Sequence, residues 1–141
     1  GDPAGFQLED CTTQRNLSEE GRRQARQIGN AFRENGITSA QVWSSRWCRC
    51  LETARLFDLG SVEPLPFLDS FFSQPGRGPA QTATLREFLS RPYQGPPRVL
   101  VTHQVNITGL TGVVPRSGEM VVVQPTSEGA IRVLGRLVSG R

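Results

Sequence analysis

The run Arg98-Val-Leu-Val-Thr-His103 limits the fold more tightly than any other stretch of the chain. Three consecutive apolar residues, two of them β-branched, follow the breaker pair Pro96 and Pro97 and stop at a histidine, the pattern of a short buried strand. His103 is the only histidine present, and a helix-like segment begins near Asn106. Open α/β sheets hold ligands at the carboxyl ends of their strands, and an anion there also meets the free amides of a helix N-terminus. A buried loop histidine with a structural hydrogen bond fits the same position, so other residues have to decide between the two.

The rest of the chain alternates helix and strand. Residues Gly1 to Asn16 lack apolar periodicity and read as a loop. Ser18 is a natural N-cap, Glu19 and Glu20 favour the first turn, and Gly21, Ala25, Ile28 and Phe32 share one helical face closed by Gly36, so a helix is expected over Ser18 to Asn35. A strand within Ile37 to Trp43 and a helix from Trp47 to Phe57 follow. Glu63 to Leu68 gives a strand that Pro64 and Pro66 confine to an edge. Ser73 to Pro79 reads as a mobile flap before a helix over Gln81 to Ser90. Beyond the central stretch, Glu119 to Gln124 and Ile131 to Val138 flank a polar turn at Thr126 to Gly129 and form a closing hairpin. This order predicts a single domain over residues 1–141, a three-layer α/β/α sandwich with a mostly parallel sheet and an antiparallel ending, in which Arg98 to Thr102 lies inside the sheet.

A chain of 141 residues is one domain in size. No stretch approaches the roughly 18 uninterrupted apolar residues of a membrane span. All 16 basic residues are arginines, scattered from Arg15 to Arg141 rather than gathered in a stripe with aromatics, which argues against nucleic-acid binding. Cys11, Cys48 and Cys50 with His103 make a poor zinc set, because Cys48 and Cys50 are spaced C-x-C and point to different sides of a helix. A disulfide from Cys11 to one of the other two suits an exported or periplasmic protein, and three free thiols suit a cytoplasmic one. The chain opens on Gly1 and its only methionine is Met120, so it is expected to lack its natural start.

Three strand ends carry polar groups: Ser44 to Arg49, Asp69 and His103. If the strands are parallel, these ends share one rim. An arginine fork there grips phosphate oxygens, a histidine donates to the phosphoryl group, and a carboxylic acid protonates the leaving oxygen. Taken singly, Arg49 also reads as a surface ion pair and Asp69 as a helix cap.

The segments NLSEEGRRQARQIGNAFRENGI, VWSSRWCRCLETARLF and VLVTHQVNITGLTG resemble consecutive signatures of the histidine phosphatase superfamily, over roughly Asn16 to Pro125. The resemblance implies the phosphoglycerate mutase-like fold, phosphoryl transfer through a phosphohistidine, no metal or other cofactor, and a phosphorylated small molecule or phosphoprotein as substrate. It implies that Arg49 binds phosphate in the Ser-Ser-x-x-x-Arg segment, with Arg15 and Asn16 beside it, that His103 is the second active-site histidine, and that Asp69 stands near the acid. The family's opening Arg-His-Gly or Arg-His-Ala triplet, which carries the nucleophile, is missing, and with it the first central strand. The expectation is therefore an N-terminally truncated phosphomonoesterase or phosphohistidine phosphatase, inactive alone, that is either poorly stable or self-associates through the exposed sheet edge beside Arg98 to Thr102. The alternative is a phosphate-binding or interaction module without catalysis.

Overall fold

Helix α1, Glu19–Glu34, begins where its capping chemistry dictates: in the computed structural model, which describes residues 1–138, Ser18 Oγ accepts a hydrogen bond from the Gly21 amide at 3.1 Å. The helix ends at Asn35, and Gly36 takes the left-handed φ of +83° that follows a helix C-terminus. Strand β1 (Gln41–Ser44), helix α2 (Cys48–Leu56), strand β2 (Val62–Pro64), helix α3 (Gly78–Ser90), strand β3 (Arg98–Val101) and helix α4 (Gln104–Thr111) follow, and the hairpin β4 (Glu119–Pro125) and β5 (Ile131–Val138) closes the described chain.

Strands β1, β2 and β3 form a parallel sheet in the order β2-β1-β3. Side-chain alternation divides its two faces. Val42, Val99 and Val101 pack with Ala25 and Ile28 of α1 and Ala54 of α2, whereas Trp43 and Leu100 pack with Leu85 and Leu89 of α3 and Leu110 of α4. The result is the expected α/β/α sandwich.

Four expectations need correction. Arg98 to Val101 is not an inner strand: β1 occupies the centre, and among the described residues β3 pairs only with β1. The hairpin does not extend the parallel sheet but forms a two-stranded sheet of its own, with a register shift at Val122/Val123. The outer edge of β3 is thus open among the described residues, the edge through which self-association is expected. The segment after Leu65 leaves the sheet as a 3₁₀ turn, Pro66–Leu68, because two prolines withhold ladder donors. The supposed flap is a second 3₁₀ turn, Pro75–Arg77, that runs straight into α3; Pro79 suits that first turn because its missing N–H is not needed there.

Cys11 and Cys48 are joined by a disulfide, and Cys50 is a buried free thiol. The bridge ties the N-terminal loop to the first residue of α2. Among the described residues no group of acidic, cysteine and histidine side chains is arranged to hold a metal ion, and no helix is long and apolar enough to cross a membrane.

Where α1 crosses α2, Gly29 lies so close that a Cβ would stand 2.3 Å from the Phe57 carbonyl oxygen. Gly29→Ala therefore destabilises the fold by about 1–3 kcal/mol despite alanine's better helix propensity. Thermal unfolding checks this, and an unchanged or raised midpoint would contradict the close packing.

Candidate functional site

The parallel register sets the site. Ser44 stands opposite Val101, and Ser45 N–H donates to the Val101 carbonyl at 2.9 Å, so the residues just beyond both strands emerge side by side. Those residues are Ser45 to Arg49 on one side and His103 on the other. His103 occupies the N-cap position of α4 without capping it through its side chain, which leaves the ring free to face β1 and α2.

Arg49 and His103 meet. Arg49 Nη2 lies 3.5 Å from His103 Nδ1, and Arg49 Nη1 donates to both carboxylate oxygens of Asp2 at 3.0 and 3.2 Å. Asp2 also accepts from Trp47 Nε1 at 3.0 Å and from the Arg15 amide at 3.0 Å. Burial opposes ionisation of Asp2, but the bonds from Trp47, Arg15 and Arg49 outweigh it and hold the carboxyl below its ordinary range. A carboxylate held by an arginine and two further donors shows what this corner accommodates: anionic oxygen.

On its other side the imidazole faces Ser45, whose Oγ is 2.8 Å from Nε2, and the Cys50 thiol, 3.7 Å away. The Trp47 ring packs edge-on against it at 5.0 Å. Burial, then the Arg49 charge, lower the His103 pKa to about 4, with Asp69 and Asp2 acting in the opposite direction. Burial likewise pushes the Cys50 thiol up to about 11, so it stays protonated.

Asp69 converges on the same corner but is occupied. Its carboxylate accepts from Arg46 Nη2 at 2.6 Å, Arg46 Nε at 2.8 Å and the Arg46 amide at 2.9 Å, with Ser45 Oγ at 3.4 Å. Its carbonyl accepts from Gln81 and Asn106, tying α3 and α4 to the strand end. Arg15 contributes its backbone amide, with its side chain exposed. Asn16 spends its amide nitrogen on the Cys11 and Gln14 carbonyls, which folds the loop.

Sequence reasoning overlooked four participants. Ser45 and Arg46 lay inside the polar cluster already singled out, and the neighbouring serines were the signal. Trp47 reads as an apolar helix residue. Asp2 carries no local signal, because its role depends on contacts 45 and 47 residues away.

Residues 10–70 match the model of the histidine phosphatase superfamily, branch 1. No curated protein matches the chain. Among solved structures, the protein histidine phosphatase SixA complexed with tungstate is similar at 20% identity and a TM-score of 0.65, over 98% of this chain and 92% of that one.

Because His103 is neutral in the fold and titrates near 6.5 once unfolded, the unfolded state binds more protons between about pH 6.5 and 4. Its contribution is therefore complete above pH 6.5, falls as the pH drops through that window, and levels off below about 4 after a loss of roughly 3 kcal/mol. His103→Gln removes this component, so comparing wild-type and variant denaturation across pH 4–7 isolates it; identical pH profiles would contradict a buried neutral ring. Residues 10–70 thus resemble the histidine phosphatase superfamily in sequence, and the chain shares its fold with a protein histidine phosphatase.

Proposed function

We propose that this site binds the phosphoryl group of a phosphorylated small molecule or phosphoprotein, and that the protein is a phosphomonoesterase or phosphohistidine phosphatase working through a phosphohistidine. The observation that carries this reading is the facing pair Arg49 Nη2 and His103 Nδ1, 3.5 Å apart, on an arginine whose other nitrogen already holds a carboxylate. The superfamily match supports a phosphatase-type function, and SixA, similar in fold, is a protein histidine phosphatase whose structure holds tungstate, a tetrahedral oxyanion.

In this scheme Arg49 supplies charge-assisted hydrogen bonds to the phosphoryl oxygens, strongest as negative charge develops on them. His103 provides the second contact. A bound dianion raises its pKa from about 4, so the ring takes up a proton as the phosphoryl group arrives. Asp69 acts as the leaving-group acid only after releasing Arg46, whose side chain is half exposed and able to swing out. The nucleophile is a second histidine. His103 is the single histidine of residues 1–141, and its ring nitrogens face Ser45 and Arg49, so we assign the nucleophile to sequence outside these residues.

The single histidine also favours a second reading, an oxyanion-binding module without turnover. The two separate in one set of experiments. Residues 1–141 are expected to bind tungstate, Arg49→Ala to weaken that binding at least tenfold, consistent with loss of a charged hydrogen bond, and the fragment to show no hydrolysis of an aryl phosphate. The complete gene product is expected to hydrolyse it and to accumulate phosphohistidine when quenched. Binding without turnover by the complete product would establish the module, and no tungstate binding at all would contradict both readings.

A further inference from the structure

Ser45 is fully buried, too enclosed to meet a substrate, yet its hydroxyl meets three other residues of the site. Its Oγ lies 2.8 Å from His103 Nε2 and 3.4 Å from Asp69 Oδ1, and it accepts the Trp47 amide hydrogen at 3.1 Å. A serine hydroxyl has one hydrogen to donate and two lone pairs to accept with, so these three partners fill its capacity in one arrangement only.

The arrangement follows from Arg49. An arginine nitrogen never accepts, so a hydrogen on His103 Nδ1 would oppose the donor of Arg49 Nη2 at 3.5 Å. Nδ1 is therefore the bare nitrogen, and the hydrogen of the neutral ring is on Nε2, which donates to Ser45 Oγ. The serine hydrogen is then directed at Asp69 Oδ1, an oxygen already fixed by the Arg46 amide at 2.9 Å. The Cys50 thiol offers Nε2 only a weak and distant alternative at 3.7 Å, with its own hydrogen aimed at the Thr102 carbonyl. Every charged, titratable or hydroxyl group facing the ring, Arg49 and Cys50 on α2, Asp69 beyond the 3₁₀ turn, Asp2 in the N-terminal loop and Ser45 itself, is consistent with one tautomer.

We propose that Ser45 is a positioning residue that holds His103 in the Nε2–H tautomer and so leaves Nδ1 as the nitrogen presented to an oxyanion bound at Arg49. This deepens the phosphoryl-binding reading and rests on it for its functional meaning, but the tautomer belongs to the chain itself and is measured without any substrate. A proton gained on binding then has one place to go. With Nε2 already protonated and bonded to the Ser45–Asp69 pair, the ring can take it only on Nδ1, on the side of the ligand.

The single histidine makes the test unambiguous, because the imidazole ¹⁵N signals of residues 1–141 can come only from His103. At neutral pH without ligand, the wild-type spectrum is expected to show Nε2 protonated and Nδ1 bare. Ser45→Ala shifts the tautomer ratio toward Nδ1–H by roughly fivefold, the value of one ordinary hydrogen bond, and Ser45→Thr, which keeps the hydroxyl, restores it. A wild-type ring protonated on Nδ1 overturns the proposal, as does a ratio unmoved in Ser45→Ala. If Ser45→Ala does not fold, the wild-type and Ser45→Thr spectra decide, since both must show Nε2–H. Adding tungstate separates the two claims: the expected tautomer with no tungstate-induced change at His103 removes the phosphoryl-binding reading and leaves the role of Ser45 standing, whereas the opposite result removes only the latter.

Discussion

The parallel pairing of β1 with β3 is the constraint on which the site depends. It sets Gln41 against Arg98 and Ser44 against Val101, and the amide of Ser45 extends it by one more bond. Side chains alternate along a strand, so a slip of one residue would turn Val42 away from α1 and bring the Trp43 indole toward it. It would also move His103 out of reach of Ser45 and Arg49. Burial of Val42 on one face and the Trp43–Phe88 edge contact on the other thus fix the chemistry as well as the fold.

The N-terminal loop completes the rim from the opposite side. Gln14, buried, donates to the Gln7 and Leu8 carbonyls and accepts from the Cys48 amide at 3.0 Å, satisfying a first-turn donor of α2 that Trp47 leaves uncapped. The Cys11–Cys48 disulfide fastens the same junction. Asp2 then reaches Arg49 and Trp47 together. A segment without apolar periodicity is held by polar bonds and one covalent link, which is how a loop acquires a defined position without a core of its own.

Much of this was legible in the sequence, for local reasons. Ser18, Glu19, Glu20 and Gly36 mark the limits of α1 through chemistry confined to its two ends, and the Val-Leu-Val run marks β3. The meeting of Arg49 with His103 followed from placing both at carboxyl ends of parallel strands. What escaped depends on long-range geometry. The central place of β1 is decided by which strands pair, the cysteine pairing by where the loop lies relative to α2, and the early start of α3 by a 3₁₀ turn that feeds the helix. Asp69 stands where the acid is expected, but the sequence gives no sign that the backbone and guanidinium of Arg46, twenty-three residues earlier, hold its carboxylate. Arg15 and Asn16 have the right neighbourhood, yet one offers only its backbone and the other closes its own loop.

The account stands on Arg49 and His103 sharing a single oxyanion. A crystal structure of the chain with tungstate tests that most directly. The expected result is one tungstate between the two side chains, its oxygens within about 2.7–3.2 Å of Arg49 Nη2 and His103 Nδ1, with the Asp2 carboxylate displaced or retained on Nη1 alone. Tungstate bound elsewhere, or a site in which Arg49 stays closed on Asp2 and His103 makes no contact with the anion, would contradict it.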